Sequence, residues 1–138
     1  MTEFPLRLDN YFFTHQEVTA NIEHVPDSKD NPAFLDFIVE GAANRLANNN
    51  NKYAITAHVE INKETSVNLS YFFSITAFGI ISIKADMQGH PGIESIIETS
   101  GIQLLFGAIR ERLADMTARG PWPLIQLDFI PLMVKIEG

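Results

Sequence analysis

The segment from Val67 to Lys84 constrains the fold most, because apolar and other residues alternate along it with the period of a β-strand. One set of alternate positions is almost entirely apolar and comprises Val67, Leu69, Tyr71, Phe73, Ile75, Ala77, Gly79, Ile81 and Ile83. The other set is mostly polar but contains Phe72, Phe78 and Ile80. The segment predicts a long strand with one buried face. The apolar residues of its second face predict either a subunit contact or an exposed binding patch. Gly79 in mid-strand predicts a bulge or the close approach of another backbone.

Three further segments have strand signals, and two have turn signals. Val18–Glu23 and Tyr53–Asn62 alternate between apolar and polar residues, and Ala33–Gly41 is a short, mainly apolar run. The asparagine run Asn48–Asn51 predicts a hairpin tip, because asparagine tolerates left-handed backbone. Gln88–Gly92 contains two glycines and a proline and predicts a loop.

One strong helix follows these strands. Ser100 and Gln103 have the spacing of a capping box, and a short helical turn is predicted before them at Ile93–Glu98. One apolar stripe has helical spacing and consists of Ile102, Leu105, Phe106, Ile109, Leu113 and Met116. Gly120 fits the position after the helix end, and Pro121-Trp122-Pro123 prevents continuation. Strands followed by a helix predict an α+β fold with an antiparallel sheet.

Length and composition limit the class of protein. A chain of 138 residues predicts one domain, residues 1–138, and a net charge of −7 argues against nucleic-acid binding. The absence of cysteine excludes disulfides, thiolate zinc sites and iron–sulfur clusters, and is compatible with the cytoplasm. Met1–Pro5 has no signal-peptide pattern, and the apolar run Ile75–Ile83 is shorter than the ~20 residues that cross a bilayer. We therefore expect a cytoplasmic protein without nucleic-acid or membrane partners.

The residues that could carry chemistry are scattered. The chain has no phosphate loop, dinucleotide fingerprint, nucleophile elbow or HExxH motif. His58 and Glu60 share one strand face but lack an adjacent third metal ligand. Glu94 and Glu98 could be paired carboxylates, although acids early in a helix commonly complement its dipole. The spacing of Ser100 indicates capping better than catalysis. The sequence predicts a protein that is not an enzyme and binds no cofactor or metal.

Two motifs in the helix and the segment after it carry a resemblance to a known family. The helix motif is Leu105-Phe106-Gly107-Ala108-Ile109-Arg110-Glu111, and the exit motif is Arg119-Gly120-Pro121-Trp122-Pro123-Leu124-Ile125-Gln126-Leu127. Together they resemble the SecB export-chaperone family, with structural motif positions at Leu105, Phe106, Arg110, Glu111, Arg119, Gly120 and Pro123. Gly107 departs from the pattern, because the family usually has proline there.

The resemblance implies a four-stranded antiparallel sheet with one long helix packed across it. It also implies homo-oligomers built as dimers of dimers, which hold unfolded or precursor polypeptides in apolar grooves without ATP. The candidate groove residues are Tyr71, Phe72, Phe73, Phe78 and Trp122, each of which could instead belong to the core or a subunit interface. Acidic sheet residues help export chaperones to dock SecA, and Ser74 does not supply such an acid. The sequence therefore does not predict SecA docking.

Two other functions stay open. One is a small-molecule binder or acyl-thioester hydrolase of hot-dog type, which needs a carboxylate projecting from a central helix. Glu111 and Asp115 lie off the apolar stripe of the predicted helix, which counts against that function. The other is a SecB-like chaperone that serves a single partner.

Overall fold

Within the part of the chain that the structure describes, four antiparallel strands and one helical segment form the architecture. The computed structural model describes residues 6–46, 49–84 and 91–127. The strands are β1 (Leu6–Ala20), β2 (Phe37–Leu46), β3 (Asn49–Ile61) and β4 (Tyr71–Ile83). They form one sheet in the order β1-β4-β3-β2, with every neighbouring pair antiparallel. The predicted α+β class with a four-stranded antiparallel sheet is confirmed.

Several strand boundaries differ from the predicted ones. β1 begins at Leu6, well before the alternating Val18–Glu23 segment, and ends before Ile22. β2 begins at Phe37 rather than Ala33. The predicted hairpin tip is wrong for residues 49–51, because β3 begins at Asn49, which pairs with Leu46, and residue 48 lies outside the described residues. Of the predicted loop, residues 88–90 lie outside the described residues and residues 91–92 form a turn before the first helix.

The burial of β4 follows the predicted alternation. Residues of the apolar set from Tyr71 to Ile83 are buried, and those between them are half-buried. The strand starts later than predicted, because Asn68 has a left-handed φ of 51° that turns the chain. Val67 lies before this turn and forms an isolated bridge with Phe34. We call the face of the sheet that carries these buried residues the inner face.

Gly79 shows the close approach that its position predicts, since a Cβ here would lie 3.3 Å from the Asn10 carbonyl oxygen of β1. A side chain at this residue would place its Cβ 3.0 Å from Leu8 Cδ1 and 3.1 Å from Leu105 Cδ2, so the glycine lets strand and helix approach closely. A β-bulge lies nearby on β1 rather than at Gly79, because the register against β4 shifts between Leu8 and Asn10, opposite Ile81 and Ile80. This β-bulge leaves Asp9 as the extra residue of β1.

The helical segment begins earlier than the capping signal indicated. Helix α1 (Ile93–Ile96) leads through a π-helical turn (Ile97–Gly101) into helix α2 (Ile102–Ala118). The predicted capping box is wrong, because Ser100 lies inside the π-helical turn and α2 has no side-chain cap. A backbone that is already helical at this point has no unpaired N–H groups for Ser100 to satisfy.

The apolar stripe of α2 packs on the inner face of the sheet. Ile102, Leu105, Phe106, Ile109 and Leu113 are buried, as the helical spacing predicts. Met116 is only half-buried, and Thr117 is fully buried instead. The Thr117 hydroxyl donates to the Leu113 carbonyl oxygen and accepts a hydrogen bond from the Ile125 backbone N–H at 2.8 Å. The stripe therefore ends in a polar group because the chain after α2 crosses the helix there.

Gly107 lies on the solvent side of α2, which makes it a site for a stabilising substitution. A Cβ at this residue would meet nothing within 4 Å. Gly107→Ala is expected to raise the free energy of unfolding by about 1 kcal/mol, since alanine is the better helix former. Urea denaturation followed by circular dichroism measures the change. The matched control is Gly101→Ala, which should destabilise because its Cβ would lie 2.5 Å from Ile81 Cδ1. A loss of stability in Gly107→Ala would contradict the open surface.

Candidate functional site

The two faces of the sheet divide the predicted groove residues. Tyr71 and Phe73 are 2% and 3% exposed and lie on the inner face, in the core beneath α2. Phe72 and Phe78 occupy the alternate positions of β4 and point to the opposite face, which we call the outer face. As a correction to the sequence prediction, these residues do not line one continuous groove. Only Phe72 and Phe78 lie on the face that α2 leaves open.

Trp122 belongs to an anchor on the inner side of the sheet. Its backbone N–H donates to the Tyr71 hydroxyl at 3.1 Å, and the hydroxyl lies 3.0 Å from the Trp122 carbonyl oxygen and 3.2 Å from that of Thr117. The indole N–H donates to the Asn21 carbonyl oxygen at 3.0 Å, and the ring lies edge-on to His24. These bonds join β4, the end of α2 and the segment 21–36. The contacts give Trp122 a structural role in this subunit.

The residues of the family motif build the junction between α2 and the chain that follows it. Leu105 and Phe106 are buried on the inner face, and the Arg110 guanidinium donates to the Leu127 carbonyl oxygen at 2.7 Å. Gly120 lies against Tyr71, and its φ is outside the left-handed region, so close approach rather than backbone conformation requires glycine there. The three remaining motif residues are exposed: Glu111, Arg119 and Pro123.

The outer face carries an apolar patch at its middle. Phe12 on β1 pairs with Phe78 on β4, and the next row of the sheet joins Ile80 on β4 to Ala54 on β3. The rings of Phe12 and Phe78 lie 5.3 Å apart at an interplanar angle of 39°. Phe12 is 51% exposed, although it is a large apolar side chain. We name Phe12, Phe78, Ile80 and Ala54 the apolar centre.

An acidic end lies on one side of the apolar centre. Glu17 on β1 and Glu60 on β3 both pair with Ser74 on β4, so the two carboxylates flank one row of the outer face. Each has a histidine beside it, with His15 Nε2 at 3.4 Å from Glu17 and His58 Nε2 at 3.6 Å from Glu60. The exposed Glu40 of β2 pairs with His58, so this end of the outer face carries three carboxylates.

Beyond the acidic end, Phe72 lies one row further along β4, opposite Thr19. The ammonium group of Lys63 lies 5.1 Å from the centroid of the Phe72 ring. This distance is within the range of a cation–π interaction. Phe72 is thus partly covered by a cation and separated from the apolar centre by two polar rows.

The opposite end of the outer face carries Arg7 and Lys52, which both pair with Ser82. The bulge residue Asp9 reaches this end, where it accepts a hydrogen bond from Ser82 at 2.8 Å and lies 3.0 Å from Arg7 and 3.6 Å from Lys52. Partial burial acts to raise the pKa of Asp9, but the Ser82 hydrogen bond and the two cations outweigh it and lower the pKa. The carboxylate is therefore ionised at neutral pH, and two cations against one anion leave this end net positive.

The polar groups of the outer face that lie closest together are those around His58, whose Nδ1 is 2.6 Å from Thr76 Oγ1 and whose Nε2 is 3.6 Å from Glu60. In residues 6–46, 49–84 and 91–127, no cluster of three or more histidine, aspartate or glutamate side chains could hold a metal ion. Burial, followed by the charge of Glu94, raises the pKa of Glu98, while Glu94 itself pairs with Arg45 at 3.5 Å. Glu111 and Asp115 are exposed on α2, away from its buried stripe. Over the described part of the chain, no helix has the length and apolar character needed to span a membrane.

Sequence reasoning missed three members of the apolar centre as site residues: Phe12, Ile80 and Ala54. The signal for Phe12 is its doublet with Phe13, because neighbouring strand residues face opposite ways and one of two phenylalanines must leave the core. Ile80 interrupts the polar set of β4 and gives the same signal. Their common location could not be read from the sequence, because it depends on β1 pairing with β4.

Comparison with solved structures finds matches that include the following two. A SecB-like chaperone from Mycobacterium tuberculosis, solved with a ChAD peptide from the HigA1 antitoxin, superposes with a TM-score of 0.66 and 13% sequence identity over 91% of each chain. A Streptococcus agalactiae protein of unknown function matches with a TM-score of 0.46 and 12% identity over 90% of this chain and 97% of the other. No family model matches the chain, and no curated protein matches its sequence. At this identity the mycobacterial likeness shows the fold alone: the chain has the SecB-like fold.

Proposed function

We propose that this protein is a SecB-like, ATP-independent chaperone that binds unfolded polypeptide on the outer face of its sheet. The observation that carries the proposal is the apolar centre, where Phe12 and Phe78 stack on a face that α2 leaves open. The SecB-like fold supports it, because the mycobacterial protein with this fold was solved with a bound antitoxin peptide.

The chemistry of the apolar centre suits a polypeptide without a fixed sequence. Unfolded chains expose apolar side chains, and rigid aromatic rings provide a large contact area at a low cost in conformational entropy. Because the patch lies on the face of a sheet, its apolar contact area contributes to affinity. The edge strands β1 and β2 could add backbone hydrogen bonds to an extended segment. None of these contacts requires a cofactor or ATP.

We further propose the cytoplasm as the compartment and a homo-oligomer as the working assembly. The absence of cysteine is compatible with a reducing compartment. Tyr11 on the edge strand β1 and Leu104 on α2 are exposed, which leaves apolar surface that one subunit does not cover. Light scattering is expected to give a mass well above the 15.5 kDa of one chain.

Replacement of Phe12 by serine tests the proposed surface. Loss of the ring is expected to weaken binding of a fluorescently labelled, reduced and carboxymethylated α-lactalbumin by about tenfold, because burying the exposed part of a phenylalanine contributes about 1–1.5 kcal/mol. Fluorescence anisotropy measures the affinity, and thermal unfolding verifies the fold of each variant.

Phe34→Ser is the matched control for this test. Phe34 is 57% exposed, similar to Phe12, but it lies on the segment that bridges to Val67 instead of the outer face. We expect its affinity to stay within twofold of the wild type. The proposal fails if wild type does not bind the unfolded client. The outer-face site fails if Phe34→Ser weakens binding while Phe12→Ser does not.

A dedicated chaperone and a general one differ in their partners. The mycobacterial structure, with a peptide from one antitoxin, is consistent with a dedicated role. Affinity purification of the tagged protein followed by mass spectrometry should return one dominant partner in the dedicated case. A general holdase should return many polypeptides of unrelated sequence.

A further inference from the structure

The outer face carries basic residues on one side of its middle row and acidic residues on the other side. Phe12, Phe78 and Thr56 form this middle row across three strands. Two rows toward one end, Arg7 on β1 and Lys52 on β3 flank Ser82. Two rows toward the other end, Glu17 on β1 and Glu60 on β3 flank Ser74. On both strands, a base and an acid therefore stand at equal distances from the middle row.

This symmetry makes the outer face complementary to itself. A two-fold axis along the middle row turns a second copy over, so that its sheet lies against the first with the rows in reverse order. Phe12 and Phe78 then meet their own counterparts. Lys52 faces Glu60 of the second copy, and Arg7 faces the second copy's Glu17. Such an interface is isologous, so each of these charge pairs occurs twice.

The other face-to-face arrangement lacks this complementarity. An axis along the strands would keep the rows in the same order and place the two acidic ends, with Glu17 and Glu60, over each other. Like charges brought together in this way are unfavourable. The charge pattern therefore selects the reversed arrangement.

The charged groups of the face remain available to a partner. The side chains of Arg7, Lys52, Glu17 and Glu60 are all substantially exposed. The Asp9 carboxylate neutralises one of the two positive charges of Arg7 and Lys52, so these three residues carry one net positive charge. The acidic end has three carboxylates among the described residues: Glu17 and Glu60, which lie beside His15 and His58, and the exposed Glu40 of β2, which pairs with His58 across the strands.

We propose that two copies of this chain stack through their outer faces in this reversed arrangement and thereby cover the apolar centre. With rows about 7 Å apart and strands about 5 Å apart, the face measures roughly 30 Å by 20 Å, on the order of 600 Å² per copy. Stable complexes bury about 800 Å² per partner, so this stack is weak and reversible. It rests on the proposed function in one respect: the stack competes with an unfolded polypeptide for the same surface and regulates access to it.

Charge reversal at Lys52 and Glu60 tests the stack. Sedimentation velocity over a concentration series measures self-association of the full chain. Lys52→Glu and Glu60→Lys are each expected to weaken it about tenfold, because each change replaces two attractive pairs by two repulsive ones. The double variant restores the attraction in reversed order and should return to within about threefold of wild type. Lys29→Glu, an exposed position on segment 21–36, is the control with the same change of charge and should associate like wild type.

The outcomes each decide the proposal. Weakening by the single changes with recovery in the double variant supports it. Unchanged association in both single variants, or a double variant as weak as either single one, overturns it. Since Lys52 also contacts Asp9, circular dichroism monitors folding, and Arg7→Glu with Glu17→Arg provides a second pair should Lys52→Glu unfold.

Competition with the client is measured separately. Adding labelled, reduced and carboxymethylated α-lactalbumin to the wild type should dissociate the stack, whereas persistence of the stack with client bound would overturn the proposed competition. If the wild type binds no client but the charge-reversal series behaves as expected, the proposed function fails and the stack stands. The two proposals can therefore fail independently.

Discussion

Leu105→Ala is expected to lower the free energy of unfolding by about 3–5 kcal/mol. Leu105 is fully buried where α2 crosses the sheet, and its Cδ2 lies within contact range of Gly79. Substitution removes the transfer free energy of the leucine and leaves a cavity that the sheet cannot fill. Domains of this size have a total stability of about 5–15 kcal/mol, so the loss is a large share of it.

Leu104→Ala provides the matched control for this prediction. Leu104 is the preceding helix residue and is 37% exposed, so the same chemical change should cost less than about 1 kcal/mol. Urea denaturation of both variants, followed by circular dichroism, gives the comparison. Equal losses in the two variants would contradict the placement of Leu105 in the core and of Leu104 at the surface.

Gly120→Ala is expected to lower the free energy of unfolding by about 2–3 kcal/mol. A Cβ at this position would lie 2.8 Å from Tyr71 Cε1 and even nearer to the Tyr71 hydroxyl. The tyrosine ring is rigid and its hydroxyl is bonded to Trp122, so the added methyl group must push the anchor apart. Trp122 is the only tryptophan of the chain, and its fluorescence reports unfolding at this location.

A double-variant cycle shows whether the methyl group acts through the hydroxyl. Tyr71→Phe alone should cost about 1–3 kcal/mol, because it leaves the Trp122 backbone N–H without its acceptor. In the double variant with Gly120→Ala, the loss of unfolding free energy should be smaller than the sum of the two single losses, because the oxygen that clashes with the added methyl group is absent. Arg119→Ala, at the exposed neighbour of Gly120, should change stability by less than about 0.5 kcal/mol. Additive losses would contradict the contact between Gly120 and the Tyr71 hydroxyl.

Periodicity made much of the fold predictable. The alternation in β4 corresponds to its buried and half-buried positions, and the stripe of α2 from Ile102 to Leu113 faces the sheet. Element ends were less predictable. The start of β4 depends on the left-handed Asn68, and the start of the helical segment depends on backbone that is already helical before Ser100. Local sequence signals do not determine where an element starts, because packing against the sheet contributes more to helix stability than a capping residue does.

The candidate site was predictable only in part. Phe72 and Phe78 are on the open face, as the interrupted polar set of β4 indicates. Tyr71 and Trp122 were predicted to line the groove but lie in the anchor instead. Their hydroxyl and indole N–H groups bond to backbone groups from distant parts of the chain. No local pattern contains these partners. Whether the open-face aromatics bind a client stays a prediction.

The sequence by itself determined which residues share a strand face, which helix stripe is apolar, and that β4 has more apolar surface than one helix can cover. These are properties of neighbours along the chain, and side-chain period is sufficient to determine them. Only the tertiary structure decided that Phe12 stacks on Phe78, that Glu17 and Glu60 share a row, and that Gly120 lies against Tyr71. Strand order and register bring these residues together, and both depend on the packing of the whole sheet against α2, which no local segment encodes.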